Sequence, residues 1–270
     1  VVYAGQFTDV FVLEAMRFAA INKRLHDLYI RPEHVSAMRP GGRFAIKFCD
    51  IEKRRAYHIE DVEQRIRQEI HFFMRIAYDS PPAAAGVVRV YCSFATSSTR
   101  YYQLLELADD NLQCVIAKYS KQNQLLQPRQ VLQLYESLVA TIRELHRQRF
   151  TYGMLRTSNV LIFNHHSTSS KKTSTGGRPP FRVKIGDFVR ALDMEAPGNA
   201  TSTLEDAIEE DLDDLFYLHY ELFTLSRFEF SKYQAFKESL KMMTDMQAHH
   251  NSLATLDSVL DLVRRFASEQ

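Results

Sequence analysis

An α+β fold, strand-rich first and helical afterwards, is predicted by three features of this 270-residue sequence. Short β-prone runs, "FTDVFVLEA", "RFAIKFCDI", "GVVRVYCSFA" and "RYYQLLELA", dominate the chain up to Ala108. One amphipathic pattern, "DVEQRIRQEIHFFMRI", interrupts them. After Asn111 apolar residues recur at helical spacing, most clearly at Val131, Leu134, Leu138, Ile142 and Leu145.

Composition limits the function classes. With 45% hydrophobic and 25% charged residues the chain can bury a sizeable core. A formal net charge of +1 supplies no general field for nucleic acid or an anionic membrane, so partner recognition must be local. Cys49, Cys92 and Cys114 lie far apart in apolar runs, which predicts buried free thiols in a reducing compartment. The absence of a signal-peptide pattern and of a long apolar run predicts neither secretion nor membrane spanning, and the start at Val1 reads as that of an excised domain. The Asn199 sequon is read as coincidence, and His165, His166, His249 and His250 as solvated residues.

Taken in order, Val10, Phe11 and Val12 form a strand-like run. Residues 16–42 read as an insertion holding a short helix before Pro32 and ending in a Pro-Gly-Gly turn. "RFAIKFCDI" follows as a second strand. In the amphipathic helix Val62, Ile66, Ile70 and Phe73 form one stripe with Glu69 beside it. Two more strands precede the change of character at Asn111. "NLQCVIAKYS" and the long segment from Gln127 read as helices, and "NVLIF" and "FRVKIGDF" as a hairpin joined by a long mobile loop at 164–180. That loop's Lys171, Lys172 and Arg178 read as a solvated tract. "EAPGNATSTLEDAIEEDLDD" is acidic and turn-rich, and two or three helices complete the chain.

The order of these segments resembles that of a protein kinase domain. "FAIKF" matches the strand whose Lys, here Lys47, reaches nucleotide phosphates, and Glu69 matches its partner on the helix. "YYQLLELADDNL" resembles the gatekeeper and hinge, with Leu105 and residues 106–108 in those roles. In "TYGMLRTSNVLIF", Asn159 matches the metal-binding Asn and Leu161 the residue beneath an adenine ring. "KIGDFV" resembles the metal-binding loop, with Asp187 at the Mg²⁺ position and Phe188 packing under the Glu69 helix. "DLDDLFYLHYELFT" resembles the start of the large central helix, whose Asp211 would hold the catalytic-loop backbone. Tyr152 and Phe73 take structural positions. The resemblance implies a bilobal kinase-like fold, with an N-lobe at 1–107 and a shortened C-lobe at 108–270.

Several parts of the chemistry are missing. Met154 stands where a kinase has the Asp that accepts the substrate hydroxyl's proton, and a thioether cannot do that work; it is read instead as filling an apolar gap. Arg156 replaces the usual Lys. "YAGQFTDVF" offers only Gly5 for a phosphate-covering loop, and Val189 replaces the glycine after Phe188. No substrate-anchoring motif lies between Asp187 and Asp211. The resemblance therefore implies a pseudokinase with no catalytic residue and no required cofactor. The alternatives are a nucleotide sensor holding ATP and Mg²⁺ on Lys47, Glu69, Asn159 and Asp187, and an atypical kinase using a displaced acid such as Asp187, Asp193 or Glu195.

Tyr152-Gly153-Met154 is closer to H-G-D than to H-R-D, and "GDFVRALDM" is similar to the metal-binding loop of the Bub-family spindle-checkpoint kinases. The chain most resembles divergent Bub-like kinetochore pseudokinases, such as those of kinetoplastids and their relatives. That likeness implies a nuclear, kinetochore-bound interaction module with checkpoint-protein partners, no direct nucleic-acid contact and no membrane.

Overall fold

A computed structural model describes residues 3–4, 9–14, 29–30, 43–50, 66, 68–73, 75–76, 85–97, 100–164, 179–195, 201–247 and 252–270. The architecture is mixed α+β, and the chain divides into two compact units, Val1–Arg75 with Val88–Ala108, and Ile76–Val87 with Asp109–Gln270. Gly5, the Asn199 sequon, the paired histidines and the basic residues of the 164–180 loop lie outside the described residues, as does most of the insertion.

The first unit is built on an antiparallel sheet of β1 (Tyr3–Ala4), β2 (Asp9–Glu14), β3 (Tyr29–Ile30), β4 (Arg43–Asp50), β5 (Val90–Ser97) and β6 (Arg100–Glu106), in the order β1-β2-β4-β6-β5-β3. Side chains alternate between faces along a strand, so Ala45, Lys47 and Cys49 share one face of β4. The register sets Leu105, Gln103 and Tyr101 of β6 directly opposite them. Phe48 and Tyr102, paired on the other face, stack at 4.8 Å. The backbone is helical at Ile66, at 68–73 and at Arg75, as the amphipathic pattern predicts. Ile66 and Ile70 pack onto Cys49 and Tyr101, and Phe72 and Phe73 are buried.

The short helix expected before Pro32 lies outside the described residues, apart from Tyr29 and Ile30, which pair with Ser93 and Cys92 at the sheet edge. An aromatic followed by a β-branched residue suits a pleated edge.

In the second unit, α1 (Leu112–Lys121) starts at Asn111, whose side chain accepts from Cys114 N at 2.9 Å. α2 (Pro128–Arg147) has proline in its first turn, and Gln130 reaches back to Gln127 N at 3.0 Å. Val131, Leu134, Leu138, Ile142 and Leu145 are all buried, forming the stripe read from the sequence. Cys49 and Cys92 are buried free thiols, but Cys114 is exposed. Leu112 and Val115 point α1 inward, and at about 100° per residue Cys114 faces away from Leu112.

β7 (Asp110–Asn111), β9 (Val160–Asn164) and β10 (Phe181–Ile185) form a small sheet ordered β10-β9-β7, and β8 (Phe150–Thr151) pairs with β11 (Leu192–Asp193). The hairpin expected from "NVLIF" and "FRVKI" is the β9–β10 pair. Helices α3 (Thr201–Phe223), α4 (Phe230–Gln247) and α5 (Ser252–Ser268) follow. α5 lies along α2, with Arg264 2.7 Å from Glu136 and Arg143 2.5 Å from Asp257. The segment read as turn-rich is helical from Thr201, so Asp211 falls in the middle of α3 rather than at the start of a helix. Leu204, Glu205 and Ala207 favour helix.

Two packing features carry tests. A Cβ on Gly86 would lie 2.0 Å from Thr141 Oγ1 and 2.7 Å from its Cγ2. Gly86→Ala is expected to lower stability by about 1–3 kcal/mol through overpacking, read as a lower urea midpoint; an unchanged midpoint would mean that Thr141 yields freely.

His219, fully buried among Tyr135, Phe216, Tyr220, Phe223 and Phe236, donates from Nδ1 to the Phe216 carbonyl. Burial pushes it from 6.5 down to about 4, despite that bond. A histidine held neutral contributes stability that is complete above 6.5 and lost as pH falls toward 4. Between pH 7 and pH 5 the loss from this one group is expected to be about 2 kcal/mol. His219→Phe should remove that much of the acid sensitivity of the urea midpoint; an identical pH profile in the variant would disprove the assignment.

Candidate functional site

In the first unit, strand alternation and the helix stripe bring Lys47 and Glu69 together. Lys47 Nζ lies 2.8 Å from Oε1 and 3.0 Å from Oε2 of Glu69, a two-pronged ion pair with both residues more than nine-tenths buried. Such a pair is held by geometry, since burial removes the water that would otherwise solvate each charge. Gln103, cross-strand to Lys47, is buried with neither side-chain amide atom hydrogen-bonded among the described residues. Leu105, expected from the resemblance as a gatekeeper, is buried opposite Ala45. Glu106, expected as part of a hinge, donates from N to Arg89 O at 2.9 Å, and its carboxylate accepts from Arg89 N at 2.7 Å.

In the second unit, the loop between β8 and β9 is held from α3. Asp211, with no exposed surface, accepts from Tyr152 N at 2.7 Å and from Gly153 N at 2.6 Å, and His146 Nε2 lies 2.8 Å from its Oδ2. Asp214, one helical turn on, accepts from Leu155 N at 2.6 Å. Two carboxylates at i and i+3 on one helix face thus hold three backbone N–H groups around Met154. Burial pushes Asp214 up to about 6, with the Asp211 and Glu210 charges adding to the rise and the Leu155 N–H and Arg156 opposing it.

The rest of the loop is equally determined. Gly153 has φ +73°, and a Cβ there would sit 3.1 Å from Arg190 O, so glycine is required at the middle of the triplet. Met154 is half-buried, and its carbonyl accepts from Asn159 Nδ2 at 3.0 Å. Asn159 therefore braces the loop through its amide nitrogen. Tyr152, fully buried, donates to Gly186 O at 2.5 Å and meets Phe188 edge-on at 5.0 Å. Its hydroxyl is raised well above the ordinary tyrosine range by burial and then by the charges of Asp187 and Asp211. Leu161 is half-buried in β9.

Asp187 has φ +61°, a left-handed conformation that aspartate tolerates better than most residues. Val189 and Arg190 form the turn closed by Ala191 N donating to Phe188 O at 3.1 Å. The positive φ falls on Asp187, and Val189 is not left-handed. That is how valine occupies the position without strain.

Two residues of this constellation escaped the sequence reading. His146 interrupts the apolar end of α2, and Asp214 repeats Asp211 at helical spacing; both signals are polar residues on a stripe that should be apolar. Chemically, the second unit presents a fixed loop that carries the thioether of Met154, and the first a buried ion pair. Among the described residues no helix is long and apolar enough to cross a membrane, and no group of three or more His, Cys, Asp or Glu residues could hold a metal ion. No protein-family model matches the chain, and no curated protein matches it.

Proposed function

We propose that the chain is a kinase-like domain without phosphoryl-transfer activity, acting as a protein-interaction module. The observation that carries this reading is the loop around Met154, whose backbone is fixed by Asp211 and Asp214 while the residue it presents can neither accept nor orient a proton. The sheet order of the first unit, the Lys47–Glu69 pair and the β9–β10 hairpin support a kinase-like, bilobal arrangement. The Bub-like resemblance supports a kinetochore or checkpoint protein as partner and a nuclear location.

The test is γ-phosphate-labelled ATP with Mg²⁺ or Mn²⁺ and generic protein substrates. No transfer above that of the Lys47→Ala variant is expected, and metal-dependent turnover abolished by that variant would overturn the proposal. A second reading, a nucleotide sensor, is favoured by the left-handed backbone at Asp187, because strain of this kind collects at ligand sites. Saturable thermal stabilisation by ATP that vanishes in Lys47→Ala would select it.

A further inference from the structure

Beside β10 in the second unit runs a groove of about 700 Å³. One wall is α2, with the small residues Ser137, Ala140 and Thr141; the other is β10, and Gly86 lies on its border. A volume of this size holds a short segment of chain.

The hydrogen-bond register shows what β10 offers to the groove. Gly186 N donates to Asn159 O at 3.0 Å, which makes Gly186 and Asn159 a bonded pair across β9 and β10. Bonded positions alternate in an antiparallel ladder, so Arg182 and Lys184 also point their backbone groups at β9, while Phe181, Val183 and Ile185 point theirs outward. Two observations agree with this parity. Ile162, opposite Val183, gives its carbonyl to Asp109 N at 2.9 Å on the far side of β9, and Ile185 makes an isolated parallel bridge to Val87.

The ladder stops there, because Ala85 and Gly86 are helical. The outward backbone groups of Phe181 and Val183 have no hydrogen-bond partner among the described residues. On the facing helix Gln133 Oε1 is likewise buried and without a partner. An unpaired strand edge beside a groove is a template for another strand.

We propose that this groove takes an extended peptide segment of a partner protein, which adds to β10 as a further strand and carries acidic side chains. Main-chain pairing to Phe181 and Val183 supplies the register, and the bridge at Ile185 blocks that end. Charge supplies the choice of side chain. Arg182 is exposed and makes no ion pair among the described residues, whereas Arg143 is already held by Asp257 at 2.5 Å. The one carboxylate there, Glu144, is already held by Arg147 at 2.7 Å. The small residues of α2 leave room for apolar side chains of the peptide on the other face.

This gives the interaction reading a surface without depending on the kinase likeness, so failure of the groove would leave the absence of phosphoryl transfer untouched. The test uses the whole 270-residue chain and a fluorescein-labelled hexapeptide of alternating Glu and Val, read by fluorescence polarisation. A Lys/Val counterpart and a peptide N-methylated at alternate residues serve as controls. Saturable binding of the Glu/Val peptide alone is expected. Ala140→Trp, which fills the groove from an exposed helix position, and Arg182→Glu should each weaken it about tenfold or more with unchanged melting temperature.

No saturable binding, or binding indifferent to N-methylation or to both substitutions, would overturn the proposal. So would a dimer in sedimentation that Ala140→Trp splits, which would give the groove to a second copy. Binding that appears only when 165–178 is replaced by a short Gly/Ser linker would give it to the chain's own loop.

Discussion

Asp211→Ala is expected to lower the stability of the helical unit by about 4 kcal/mol, because it leaves the buried N–H groups of Tyr152 and Gly153 and the ring of His146 without their acceptor. Each bond ends on a carboxylate with no exposed surface, where an unmade hydrogen bond incurs its full desolvation penalty. Asp211→Asn keeps one acceptor and should lie between the wild type and the alanine variant. Asp214→Asn should cost less than Asp211→Ala, since Asp214 is only half-buried and accepts one backbone bond. Guanidinium unfolding measures all three. Amide exchange at Tyr152 and Gly153 should accelerate in the first two variants and not in the third. An Asp211→Ala midpoint within error of the wild type would mean that α3 does not organise the loop.

Lys47→Met is the second large effect. It strands the Glu69 carboxylate, 2% exposed, without its cation, and a buried pair broken on one side typically costs about 3–5 kcal/mol. The double variant Lys47→Met with Glu69→Leu should recover most of that loss, because two apolar side chains replace both charges together. The comparison separates a structural pair from a ligand site. If the double variant is as stable as the wild type and nucleotide never shifts either melting temperature, the pair serves to seat the helix on the sheet. If the double variant remains as unstable as the single one, the ion pair itself contributes net stability.

Much of the fold was legible because it depends on periodicity. The apolar spacing through Val131, Leu134 and Leu138 could bury a stripe only as a helix, and the alternation in "FAIKF" could set Lys47 inward only as a strand. Lys47, Glu69, Asp187 and Asp211 were singled out by the resemblance of ordered motifs, which periodicity alone does not supply. Elements whose form depended on neighbours were not legible. Tyr29 and Ile30 became a strand because β5 offered an edge, Cys114 was exposed by the phase of a short helix, and α3 ran back to Thr201 through carboxylates that read as a turn.

The sequence by itself determined the α+β class and the order of strands and helices, since each follows from residue type and local spacing. Only the tertiary structure decided that Asp214 and His146 complete the clamp around the loop at Met154, that Gly153 must be glycine, and that Phe181 and Val183 of β10 have no backbone partner among the described residues beside a groove. These features arise from residues far apart in the chain. Their distances, register and burial exist only after packing, and a one-dimensional pattern carries no measure of them.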